Sequence, residues 1–210
     1  MKLLGLFLTM IVVQIQSSFA QIKVTQLTVK AIPKTIHYSG HVINAVHYND
    51  REGEHMVITT ETGETPSKGS ENGDERDAAL YAYHYNIGNN TEPKLSWQTY
   101  DFIKECPVDI KASYIPNTFA ITDLDNNGKA EVWLMYKTVC HGDVSPSYMK
   151  IIMHEGSKKY AIRGENKVRL SEKKYVGGEY TFDEAFKKGP ELFRQYAIGL
   201  WKKNLLETWK

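Results

Sequence analysis

The sequence predicts a mainly β protein whose antiparallel sheets form a sandwich or an open, propeller-like repeat sheet, followed by a C-terminal amphipathic helix. Apolar and polar residues alternate with period two over most of residues 22–170, the repeat of strands that bury one face. Two alternating segments flank a short turn at 155–157, and apolar residues recur at helical spacing after residue 181. These three observations favour antiparallel strands with one terminal helical segment.

Alternation predicts the strands individually, in chain order. They are expected at 22–29, 41–47, 55–60, 79–85, 119–122, 131–138, 149–153 and 159–163. The last two and the turn at 155–157 have the pattern of a hairpin. Residues 61–77 are polar and contain three glycines and a proline, so we expect a long loop there.

The spacing of the apolar residues changes from the strand pattern to the helical pattern at the start of the predicted helical segment 181–209. Thr181 and Glu184 have the spacing of a capping box, which predicts a short helix ending near Gly189. Pro190 then starts a second helix, whose apolar residues lie on one face. We expect this helix to pack on the sheet; the alternative is a helix lying on a membrane surface.

The first twenty residues have the organisation of a signal peptide. Lys2 precedes an apolar run at 3–13, and the small residues Ser18 and Ala20 occupy the positions that a signal peptidase reads. The alternative is a membrane anchor, but the run is shorter than the roughly 20 residues a bilayer span needs. We therefore predict cleavage after Ala20 and export of 21–210 as one β-rich domain, to the periplasm, the cell surface or the medium, with no transmembrane segment.

Charge and cysteine content fit that environment. After removal of residues 1–20 the basic and acidic side chains are equal in number, which argues against nucleic acid as a partner. Cys106 and Cys140 are the two cysteines of the chain, and in an oxidising compartment they are expected to form a disulfide. Two free buried thiols are the alternative.

The strongest chemical signal is a loop at 123–131 that is rich in oxygen ligands. Acidic and amide side chains alternate along it, and Gly128 permits the sharp turn that would wrap them around an ion. Calcium takes six to eight hard oxygen ligands, so we predict a structural Ca²⁺ site. The expected ligands are Asp123, Asp125, Asn127, the carbonyl of Lys129, and Glu131. The alternative is an ordinary Asp/Asn/Gly turn without an ion.

The surroundings of this loop do not suit an EF-hand. Leu134 stands where an EF-hand has its bidentate glutamate, and the flanking segments are strand-like. The loop instead resembles the strand-loop-strand calcium sites of integrin-type FG-GAP repeats and related adhesin repeats. Residues 50–53 followed by 56–59 form a weaker echo that lacks two of the ligands, and two such units are too few to predict a closed propeller.

Other candidates are weaker. Tyr81, Tyr83 and Tyr85 share one strand face and form a candidate sugar-binding platform, although the same stripe would pack equally well in a core. The seven histidines follow no zinc pattern and are expected at strand surfaces or turns. There is no nucleophile elbow and no phosphate-binding glycine loop, so we predict no catalytic residues.

Several segments resemble a family of small exported bacterial proteins labelled surface polysaccharide biosynthesis proteins. These segments are 101–109, 119–125, 136–140, 143–146, 149–150 and 159–164. The resemblance implies an envelope protein that helps to make or display surface polysaccharide, with polysaccharide or assembly proteins as partners, and implies no established catalytic residues. The first hypothesis is a non-enzymatic envelope factor stabilised by calcium and a disulfide. The alternatives are an enzyme acting on envelope glycan and an adhesin-like module that binds carbohydrate or protein.

Overall fold

The computed structural model describes residues 22–69, 73–88 and 92–207. A five-stranded antiparallel sheet comes first, and its strands lie side by side in chain order. These strands are β1 (Val24–Gln26), β2 (His41–Asp50), β3 (Gly53–Pro66), β4 (Arg76–Ile87) and β5 (Lys94–Cys106). A 3-10 helix at Val29–Ala31 follows β1, which is shorter than predicted. The predicted signal peptide lies outside the described residues.

A second antiparallel sheet and the helices make up the rest of the described chain. Its elements are β6 (Ile110–Tyr114), β7 (Ala120–Thr122), β8 (Glu131–Cys140), β9 (Tyr148–Glu155), β10 (Lys158–Glu165), β11 (Lys167–Arg169), β12 (Tyr175–Gly177), β13 (Tyr180–Phe182), α1 (Glu184–Lys188) and α2 (Glu191–Lys203). The strand order is β13-β10-β9-β8-β6, with β7 also paired to β8, while β11 and β12 form a separate ribbon. The prediction of a mainly β protein with antiparallel sheets is confirmed.

Strand β8 is buried on both faces because it lies between two cores. Its Leu134 packs with Leu80 of the first sheet, whereas its Trp133 packs with Phe193 and Trp201 of α2. All of these side chains are fully buried. The molecule is therefore layered, with the first sheet, the second sheet and the helices stacked in that order.

The helical segment matches the prediction in placement but not in its first cap. Phe193, Ala197 and Trp201 of α2 are buried against the second sheet, which confirms a helix packed on the sheet. Thr181 does not cap α1, because it lies in β13 opposite Arg163. Asp183 is the N-cap instead, and its carboxylate accepts a hydrogen bond from Phe186 N. No helix among the described residues is long and apolar enough to cross a membrane.

The prediction of a loop over residues 61–77 was wrong at both ends, where residues 61–66 and 76–77 belong to strands. Strand β3 continues to Pro66 and β4 begins at Arg76, so the two strands extend the hairpin well beyond the buried sheet. Residues 63–66 are exposed and polar. A strand with no buried face has no reason to alternate, so the period-two signal is lost there.

The disulfide prediction is confirmed. Cys106 at the end of β5 is bonded to Cys140 at the end of β8, with a Cα–Cα distance of 5.9 Å. The bond therefore joins the edge strand of the first sheet to an interior strand of the second.

Candidate metal centre

The loop at 123–131 connects β7 to β8. Thr122 and Glu131 pair across the two strands and close its base. Asn126 and Gly128 have φ angles of 54° and 81°, in the left-handed region that glycine and asparagine adopt most readily. These two positions turn the chain sharply enough for the acidic side chains to point toward one another.

Three of the five predicted ligands converge. One carboxylate oxygen from each of Asp123, Asp125 and Glu131 lies within 4.8 Å of the others. Glu131 is fully buried, and the two aspartates are half-buried. No basic side chain of the described residues forms an ion pair with any of these three carboxylates. Lys129, the basic residue within the loop, pairs with Glu52.

Backbone N–H groups and the Thr122 hydroxyl hold the Asp123 and Glu131 carboxylates in place. Asp123 accepts hydrogen bonds from Asn127 N through Oδ1 and from Gly128 N through Oδ2, both at 3.0 Å. Glu131 Oε2 accepts from the Thr122 hydroxyl at 2.6 Å and from Leu124 N at 3.0 Å. The loop conformation is therefore fixed by contacts that leave each carboxylate capable of further coordination.

Asn127 makes hydrogen bonds with its own loop. Its Nδ2 donates to Asp125 Oδ2 at 3.0 Å and to Glu155 Oε1 at 2.6 Å, while its Oδ1 accepts from Lys129 N at 2.7 Å. This side chain thus lies beside the carboxylate cluster and links it to β9.

The electrostatics of the cluster favour a cation. Burial raises the pKa of Glu131 to about 7, against the hydrogen bonds from Thr122 and Leu124, and the charges of Asp125 and Asp123 raise it further. At the observed separation, two ionised carboxylates repel by roughly 3 kcal/mol for an effective dielectric constant of about 20. A divalent cation would remove this repulsion, so the donor set fits the predicted metal.

No family model, curated protein or solved structure matches the chain.

The segment at residues 50–53, which has a weak sequence similarity to the metal loop, contacts that loop directly. Arg51 N donates to Gly128 O at 2.7 Å, and Ala130 N donates to Asp50 Oδ2 at 2.9 Å. The β2–β3 turn thereby braces the loop from the first sheet. The sequence showed the similarity of the two segments but not their contact, because they are far apart along the chain.

Three histidines are buried between the sheets, contrary to the expectation of strand-surface or turn positions. His84 is hydrogen-bonded to the Tyr48 hydroxyl at 2.8 Å, and His154 to the Thr99 hydroxyl at 3.1 Å. Their rings stack on the two sides of Trp97, at centroid distances of 5.0 and 3.9 Å. The alternation in residues 81–85 places His84 on the strand face opposite the tyrosines. This was the sequence signal that could have predicted the burial of His84.

The third buried histidine links this stack to the metal loop. His55 Nε2 donates to Asp50 Oδ1 at 2.9 Å, and the other oxygen of that carboxylate accepts from Ala130 N. Although burial raises the pKa of Asp50, hydrogen bonds from His55 and Ala130 hold it below its ordinary value. Asp50 therefore stays ionised and connects the two regions.

The three tyrosines of the candidate sugar platform have different environments. Tyr83 and Tyr85 are buried beneath the segment that follows β1, and their hydroxyls bond to Ser39 N and His37 O. Tyr81 is partly exposed and stacks on Tyr100 of β5 at 4.8 Å. The aromatic surface that reaches solvent thus continues from Tyr81 onto β5.

Proposed function

We propose that this chain is an exported, non-enzymatic envelope protein whose loop 123–131 binds one structural Ca²⁺, and that it takes part in making or assembling surface polysaccharide. The observation that carries the calcium proposal is the convergence of Asp123, Asp125 and the fully buried Glu131. The N-terminal sequence and the disulfide support export to an oxidising compartment. The link to polysaccharide is supported by the resemblance described above.

The donor chemistry favours calcium over other metals. The cluster contains only oxygen donors, whereas zinc prefers histidine and cysteine, and magnesium demands a stricter octahedron with several waters. Asn127 and the carbonyl of Lys129 are the expected donors for the remaining positions. The ion would supply positive charge at the base of β8, and the residues of the loop would hold it there.

Binding should stabilise the fold. At a calcium concentration ten times the dissociation constant, the contribution to the free energy of unfolding is about 1.4 kcal/mol. For a domain of this size, that corresponds to a rise in melting temperature of about 3–6 °C. Extracellular calcium modules bind with dissociation constants of roughly 0.1–1 mM.

Calorimetric titration of the purified protein with CaCl₂, together with melting curves, tests the metal site. The parent should bind one ion and melt at a higher temperature with calcium, whereas Asp125→Ala should do neither. Asp74→Ala removes an exposed carboxylate elsewhere and should behave like the parent. A parent that binds no calcium at 10 mM, a concentration of roughly ten times the weakest expected dissociation constant, would disprove the metal proposal.

Export is tested separately. Mass spectrometry of the protein recovered from a cell envelope fraction should give a chain that begins at Gln21. A chain that keeps residues 1–20 and stays in the cytoplasm would contradict the proposed location, whatever the calcium titration shows.

A further inference from the structure

A large cleft lies at the end of the second sheet farthest from the metal loop. Its volume is about 860 Å³, and it lies between β5 and the adjoining ends of β8, β9, β10 and β13. Glu131 begins β8 at the loop, whereas Cys140 ends β8 at the cleft. Nine residue steps along a strand separate these ends by about 30 Å, so the two sites are distinct.

The shape of the cleft depends on a close approach of two strands. A Cβ atom at Gly164 of β10 would lie 2.0 Å from Glu179 O and 2.7 Å from Tyr180 Cα. Glycine is therefore required for β13 to lie so near β10. This approach places Tyr180 on the cleft wall.

Exposed aromatic rings form the rim. Tyr148 is 64 % exposed and Phe102 is 46 % exposed, and both line the cleft. Phe102 stacks on Tyr100 at 5.0 Å, and Tyr100 stacks on Tyr81, so a row of rings leads away from the cleft. The C–H bonds of a sugar ring pack against the negative face of an aromatic ring. An extended row suits a chain of several sugars better than a single small molecule.

One cationic group in the cleft has no partner in the described chain. Arg163 and Lys150 are directly opposite each other on β10 and β9, a placement of like charges that is normally unfavourable. Lys150 is neutralised by an ion pair with Asp101, whereas the Arg163 guanidinium makes neither a hydrogen bond nor an ion pair with a described residue. Glu165 and Glu179 also line the cleft and can accept hydrogen bonds from sugar hydroxyls.

We propose that this cleft binds an acidic oligosaccharide, with the sugar rings on Tyr148 and Phe102 and a carboxylate on Arg163. The planar guanidinium matches a carboxylate through two parallel hydrogen bonds, which a neutral sugar cannot reproduce. The inference rests on the proposed link to surface polysaccharide, from which it takes the class of ligand. It does not depend on calcium, since the loop contributes nothing to the cleft.

The test compares two trisaccharides that differ only in their carboxylates, β-1,4-linked triglucuronate and neutral cellotriose. Calorimetric titration of the full purified protein should show triglucuronate binding at least about ten-fold more tightly than cellotriose. Arg163→Gln and Tyr148→Ala should each weaken triglucuronate binding by about ten-fold. Both side chains are exposed, so melting temperatures should match that of the parent.

Matched controls use Arg169→Gln and Tyr175→Ala, which remove the same residue types from the β11–β12 ribbon outside the cleft. Their affinities should equal that of the parent. Failure of triglucuronate to bind, equal binding of the two sugars, or unchanged binding by Arg163→Gln would overturn the proposal. The calcium titration separates the two hypotheses: sugar binding without calcium binding disproves only the metal site, and calcium binding without sugar binding disproves only the cleft.

Discussion

The buried His84 and His154 should make the protein sensitive to mild acid. Burial lowers the pKa of His84 to about 3, with further lowering by His55 and His154, and burial together with the charge of Lys159 lowers that of His154 to about 4. Both values lie below the ordinary value of about 6.5, so the unfolded chain binds protons first as the pH falls. Stability from these groups is complete above pH 6.5 and is lost progressively below it.

The loss follows from the size of the two shifts. Between pH 7.5 and pH 5.0 each histidine costs about 2 kcal/mol, because its protonation at pH 5.0 is confined to the unfolded chain. Together the two should reduce the free energy of unfolding by about 4 kcal/mol. Glu131 has the opposite effect on stability. Because its pKa is raised in the folded protein, the folded state binds a proton before the unfolded chain does, and this increases the free energy of unfolding as the pH falls.

Guanidinium unfolding at the two pH values measures this effect in the parent and in His154→Gln. The difference in the free energy of unfolding between the two pH values should be about 2 kcal/mol smaller in the variant than in the parent. Carboxylate contributions, including that of Glu131, are common to both proteins and cancel in the comparison. His41→Gln, which alters an exposed histidine, should keep the parental pH dependence. Equal pH dependence in the parent and His154→Gln would refute the reasoning.

Three further results are expected, one from the covalent link and two from glycines. The Cys106–Cys140 disulfide closes a loop with a sequence separation of 34. In the chain-entropy model its reduction should lower the free energy of unfolding, measured in urea, by about 4 kcal/mol. Equal urea midpoints with and without reductant would contradict this. Gly164→Ala should destabilise by roughly 1–3 kcal/mol or more because its Cβ would meet Glu179 O. Gly199→Ala, in a helix with nothing within 4 Å of the new Cβ, should instead stabilise by about 1 kcal/mol. Thermal melts of the two variants that shift in the same direction would argue against the packing described for β10 and β13.

The strands were predictable where at least one of their faces is buried. The hairpin of β9 and β10 contains short apolar runs because Ile152 is buried toward the first sheet and Ile151 toward the helices, and its turn chemistry is local. The extension of β3 to Pro66 has no buried face and therefore no pattern. The cap of α1 was misplaced because pairing between Thr181 and Arg163 is a tertiary interaction that outweighs a local motif.

In the candidate site, too, the features set by local sequence were predictable and those set by tertiary contacts were not. Asp123, Asp125 and Glu131 were predictable together because nine consecutive residues determine their geometry. The contact of Asp50 with Ala130, across a sequence separation of 80, has no local signature. Buried histidines are also hard to predict, since a single polar residue on a strand face looks the same whether the face meets water or another sheet.

The position of β8 in both cores has a consequence for how the molecule unfolds. Leu134 and Trp133 are neighbours in sequence, yet one belongs to the contact between the sheets and the other to the contact with α2. Detaching β8 would expose both cores at once, so the layers should open as a single cooperative unit, with the slowest amide hydrogen exchange along β8. Because the carboxylate loop ends where β8 begins, an ion bound there would act on the stability of the entire domain instead of on one hairpin.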